Sequence, residues 1–167
     1  MANICENKIV ISIPEGNKGL AADLRQSVED KRLLNFLSPI EKGLEGSALV
    51  ERQRQQWGTR CEVDIIQVDH DTDANGDLVV LDVDSAWAPP LNALQDFKDR
   101  NPDVDVSCAY CEPSEFVGQW NNGADVHYDI PDTKEDMEVS IPASLSSQFP
   151  VLTERFEENE EDISPGM

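Results

Sequence analysis

Residues Asp71–Asp82 read DTDANGDLVVLD, and how they are read decides the fold. Asp71, Asp73, Asn75 and Gly76 fall on the first, third, fifth and sixth positions of a calcium-binding loop. Such a loop joins two helices and ends in a bidentate glutamate at its twelfth position. Here the twelfth residue is Asp82, the ninth is Val79, and the flanks VDIIQV (63–68) and LVVLDV (78–83) are rich in β-branched residues of period two. Period two belongs to strands, and Asn75–Gly76 supplies the positive φ angles of a tight turn. The stretch is therefore read as a hairpin turn, with no metal site.

Working outward, NKIVISI (7–13) alternates with Ile9, Ile11 and Ile13 on one face, as a strand would. Leu20, Leu24, Val28 and Leu34 then recur at helical spacing from Lys18 to about Leu37, with Asn17 at the N-cap position and Pro39 closing the helix. Residues 41–56 are polar and glycine-containing, and read as a loop with a helical turn or two. CEVDIIQV (61–68) and DLVVLDVDSAW (77–87) form the central strands. Pro90 opens a second helix through Leu91, Leu94 and Phe97, and VDVSCAYC (104–111) alternates again. EFVGQW and ADVHYDI, joined by Asn121-Asn122-Gly123, read as a further hairpin.

The order is β-α-β-β-α-β, the split βαβ of an α+β, ferredoxin-like sheet with helices on one face, plus an added β-hairpin. The expected division is a domain over residues 1–130 and an acidic, partly disordered extension over residues 131–167.

Charge separates the chain into two unlike parts. The sequence holds 13 Lys+Arg against 34 Asp+Glu, for a net charge of −21. Residues 1–60 are nearly balanced, so almost all of the excess lies beyond Cys61. Long-range repulsion then argues against direct binding to nucleic acid or to an anionic membrane, and favours a cationic partner. No apolar run approaches the ~18 residues of a membrane span, and the expected location is the cytoplasm. Four cysteines in a chain of this length read as reduced thiols rather than a disulfide framework.

No catalytic or cofactor motif emerges. Cys108 and Cys111 are spaced C-x-x-C, but three residues apart on a strand they face opposite ways and cannot share a zinc ion. His70 and His127 stand without spacing partners, and phosphate-cradling glycine motifs are missing. The chain is expected to be a binding protein rather than an enzyme, with no cofactor.

One constellation remains. If the valines and leucines of the strands face the helices, alternation sends Glu62, Asp64, Asp82, Asp84 and Asp105 to the other face of the sheet. RNA-binding sheets of this topology carry aromatic residues in a basic field there; this one carries carboxylates. A second acidic group ends the chain: Glu154, Glu157, Glu158, Glu160, Glu161 and Asp162.

Four stretches carry a resemblance: MANICENKIVIS at the start, QWGTRCEVD (56–64), DSAWAPP (84–90) and YCEPSEFVG (110–118). In this order they resemble the YubB-like family of small ferredoxin-like phage and plasmid proteins, whose function is unknown. Cys61 departs from the family pattern, which has a tryptophan there, and the residues after 130 have no counterpart. The resemblance implies a ferredoxin-like fold and a mobile-element origin, with Trp57, Trp87, Pro89 and Pro90 as packing residues. It implies no chemistry. The combined expectation is an acidic, DNA-mimic-like protein inhibiting a host defence system, such as a CRISPR effector or restriction nuclease, in the host cytoplasm. Its partner would be a basic host protein or nucleoprotein complex. The rivals are a small enzyme acting on a nucleotide or signalling molecule, at the sheet face or near Trp87 and Tyr110, and a calcium-tuned structural or virion protein.

Overall fold

A computed structural model describes residues 3–163, and the side chains of residues 3–156. The chain runs β1 (Ile4–Pro14), α1 (Lys18–Glu29), α2 (Leu33–Leu37), α3 (Gly46–Trp57), β2 (Arg60–Asp73) and β3 (Gly76–Ala86). It continues with α4 (Leu91–Arg100), β4 (Asp105–Glu112), β5 (Phe116–Asn121), β6 (Ala124–Asp129), α5 (Lys134–Ser140), α6 (Ala143–Ser146) and α7 (Pro150–Ile163). The six strands form one antiparallel sheet in the order β2-β3-β1-β4-β5-β6. The fold is α+β, as expected.

Asp71–Asp82 lies in a β-hairpin, not between helices. Asp73 pairs with Gly76 across the two-residue loop Ala74–Asn75. Asp73 Oδ1 accepts the Asn75 amide at 2.7 Å. Gly76 is required for a different reason from the one its neighbour suggests. Its φ is +135°, and a Cβ there would lie 2.0 Å from the Ile13 carbonyl oxygen. The end of β1 packs directly against the turn, leaving no room for a side chain.

The helical region after β1 departs from the reading of one long helix and a loop. Lys31 adopts φ +56° and separates α1 from α2. The polar stretch before β2 forms α3, which buries Gln53 and Trp57. Trp57 donates its indole N–H to the Ser38 carbonyl at 2.7 Å, tying α3 to the end of α2. The helices α1–α4 cover one sheet face over a core of Ile9, Ile11, Ile13, Leu24, Leu34, Val79, Leu81, Val83, Phe97 and Val106.

Residues 134–156 are packed rather than loose, and the acidic residues from 157 on lie where side chains are outside the described part. Met137, Ile141, Leu145, Phe149, Leu152 and Phe156 bury against Ala109, Cys111 and Val117 on the sheet's other face. Those six residues recur every three or four positions, an amphipathic period interrupted by Pro142 and Pro150. Both prolines stand at helix starts, where a missing amide costs nothing. Arg155 donates to the Pro113 carbonyl and fastens α7 to the β4–β5 turn. The second face is thus covered over β4 and β5 and open over β2, β3 and β1.

Candidate functional site: an acidic cleft on the open sheet face

On the open half, the registers set the side chains in cross-strand rows. Glu6 of β1 stands opposite Asp84 of β3, which stands opposite Asp64 of β2. The next row is Lys8, Asp82 and Gln67. Neighbouring strands lie about 4.8 Å apart and alternate residues about 6.7 Å apart along a strand. Lys8 is the cation set among these carboxylates.

Where α6 meets α7 the open face deepens into a cleft. Glu6, Lys8, Ile66, Asp82 and Asp84 line its sheet side, and Gln148, Phe149 and Pro150 form its helical wall. That wall excludes water from one side of the carboxylates. Burial raises the Glu6 carboxyl above its ordinary value, and the charges of Asp84 and Glu154 raise it further. Burial also raises Asp84, with Asp64 adding to it. Glu6 Oε2 is buried without a hydrogen-bond partner among the described residues. These carboxylates repel one another, so a cation arriving from outside would relieve the strain.

The candidate residues separate on this geometry. Asp64, Asp82 and Asp84 come together as expected. Asp105 is on the same face but six residues along β1, opposite Ser12, about 20 Å from the Glu6 row. Glu62 is not on this face, which corrects the alternation-based expectation. Its Oε1 accepts the Leu34 amide at 2.7 Å and its Oε2 the Asn35 amide at 3.0 Å, so it caps α2 on the helical side. The reason is local: a register shift between Arg60 and Asp64, with Cys61 at φ +62°, turns the strand before alternation resumes at Val63. Glu154 is exposed on α7, near enough to Glu6 to raise its pKa. Glu157, Glu158, Glu160, Glu161 and Asp162 lie where side chains are outside the described part. Glu6 was missed, although it alternates with the β1 isoleucines; Phe149 and Pro150 carried no local signal.

The other singled-out residues sit elsewhere. Cys108 and Cys111 fall in opposite cores, as strand geometry demands, and burial pushes both thiols up. His70 and Thr72 bond Asp77 at 2.8 and 2.7 Å, holding its carboxyl below the usual range. Trp57 packs as expected, at 4 % exposure. Trp87 does not: it is 45 % exposed.

No protein-family model, curated protein or solved structure matches the chain.

Proposed function

We propose that this protein binds a basic, nucleic-acid-handling partner through the open acidic half of its sheet. The observation that carries the reading is the row Glu6–Asp84–Asp64, three carboxylates on three adjacent strands of a rigid sheet. To a cationic groove, fixed carboxylates a few ångströms apart substitute for backbone phosphates, and the net charge of −21 steers the encounter. The four strands β2-β3-β1-β4 with α1–α4 on one face are read as a ferredoxin-like core extended by the β5–β6 hairpin. On this reading the chain is a YubB-like protein of a phage or plasmid, acting in the host cytoplasm. Its target there is a defence complex such as a CRISPR effector or restriction nuclease.

The test is competition. Purified restriction nucleases and CRISPR effector complexes, each loaded with labelled duplex DNA, are titrated with the protein over a range of salt. Wild type should displace DNA from one of them with a steep loss of potency as salt rises. The D64N/D82N/D84N variant should displace it far less well at every salt. A variant that competes as well as wild type would refute the mimicry.

A further inference from the structure

A second concave region lies at the edge of the sheet, on the helical side, and its chemistry is the reverse of the acidic cleft. Two adjoining cavities of about 390 and 430 Å³ share Arg54, Gly58 and Ala88. The first is lined by Arg60, Thr59, Ala86 and Trp87, and the second by Tyr110, Phe116, Asp125 and His127 with Pro89, Leu91 and Asn92. Their size is that of small-molecule sites.

Three independent features mark this groove as built rather than left over. The first is charge. Arg54, exposed, lies in the last turn of α3 and half-buried Arg60 begins β2, and neither guanidinium has a hydrogen-bond or ion-pair partner among the described residues. Arg60 Nε is buried without one. Unpaired buried donors are uncommon and costly. In a chain of charge −21, two unneutralised arginines on one cavity stand out against the field around them.

The second is backbone strain. Trp87 adopts φ +68°, a left-handed conformation that is strained for a bulky residue. Its surroundings over-determine it. The Trp87 amide donates to Asn3 O at 2.8 Å and Ala88 to Ala86 O at 2.8 Å, while Thr59 Oγ1 donates to Ala86 O at 2.6 Å. The result is an indole held on the cavity wall, where Trp57 and Trp120 are buried.

The third is a polar cluster at the far end. Tyr110 Oη donates to Asp125 Oδ1 at 2.7 Å and lies 3.2 Å from His127 Nδ1. It reaches them by lying across β5 at Gly118, where a Cβ would stand 2.3 Å from the ring. Burial, and then the bond to Asp125, raise the pKa of the hydroxyl and keep it protonated. Asp125 and His127 are exposed, and Phe116 packs on the His127 ring at 5.1 Å.

We propose that this groove binds a free nucleoside monophosphate, with the phosphate between Arg54 and Arg60 and the base against Phe116 and His127. Guanidinium forks suit phosphate oxygens, and rings bind flat bases by stacking. The Asp125 carboxylate accepts from an exocyclic amino group, which favours adenine, guanine and cytosine over uracil. A mononucleotide fits where a nucleic-acid strand does not. Its charge is met by two arginines, whereas a strand would run on into the acidic surface beyond. The acidic row projects from the opposite sheet face and is screened at physiological salt over about 8 Å.

Titration of the full-length protein with AMP, GMP, CMP and UMP tests this, followed by calorimetry and by tryptophan fluorescence. Adenosine and inorganic phosphate serve as controls. Trp87 dominates any change, because the other two tryptophans are buried. AMP should bind more tightly than adenosine or phosphate alone, and more tightly than UMP. Arg54→Gln, at an exposed position, should weaken AMP by about tenfold while leaving adenosine unchanged. Asp125→Ala should erase the preference for AMP over UMP. Melting temperatures of both variants distinguish lost binding from lost structure. If none of the four nucleotides binds at millimolar concentration, or if Arg54→Gln binds AMP as wild type does, the proposal is wrong.

Discussion

The acidic cleft and the arginine groove both border β3, yet they carry opposite charge and arise in different ways. The cleft is made by alternation: Asp82 and Asp84 point one way because Leu81 and Val83 point the other. The groove is made by chain ends. Arg54 lies in the last turn of α3, Arg60 opens β2, and Trp87 sits just past the end of β3. Regular structure distributes one kind of residue over a face, whereas element termini gather unlike residues into one place. A repeated carboxylate pattern therefore suits an extended basic partner, and a mixed constellation suits a small ligand with distinct ends.

The comparison is broken most severely by removing the helical wall of the cleft. Phe149 is 2 % exposed and packs against the sheet. Phe149→Ala should cost about 3–5 kcal/mol in chemical denaturation. A loss below about 0.5 kcal/mol, the range of ordinary surface substitutions, would mean that α5–α7 do not close the second face.

Glu62 and Asp84 sharpen the contrast, because they differ in what surrounds them. Glu62→Ala leaves the Leu34 and Asn35 amides without an acceptor and should destabilise by about 1–2 kcal/mol. A neutral result in urea denaturation would put Glu62 back on the open face.

Acidity separates the two kinds of carboxylate by sign. Glu6 and Asp84 have folded-state values raised above the ordinary 4.5 and 3.8. Their ionised forms oppose folding at neutral pH, and this cost is relieved as pH falls through the raised values. It is fully gone below the ordinary ones. Asp77 is lowered below 3.8, so its contribution is present above that value and lost as pH falls through its folded-state value. Stability measured from pH 7 downward should rise modestly before acid unfolding begins. The rise should shrink in a Glu6→Gln/Asp84→Asn variant, and an unchanged profile would show that the row is not strained.

The smallest effect belongs to a single neutralisation. Asp64→Asn removes one like charge opposite Asp84 and should stabilise by a few tenths of a kcal/mol, about the size of a cross-strand charge effect. Thermal melts at low salt should resolve it, and a clear destabilisation would point to a role for Asp64 that pairwise repulsion does not describe.

By itself the sequence determined the hairpin at Asp71–Asp82, the succession of strands through Asp129, and the common face of Asp64, Asp82, Asp84 and Asp105. These follow from a period of two or of 3.6, which neighbours along the chain set between themselves. The tertiary structure decided everything that depends on a partner far away in sequence. It turned Glu62 to the helical side through the bulge after Cys61, and folded residues 134–156 onto a face that only the assembled sheet provides. It also held Trp87 exposed, its amide donating to the Asn3 carbonyl and Thr59 fixing the neighbouring Ala86, and brought Arg54 and Arg60 to Asp125 and His127 across more than sixty residues of chain. Alternation is a property of adjacent backbone units. Proximity between distant residues exists only once the sheet has closed its register.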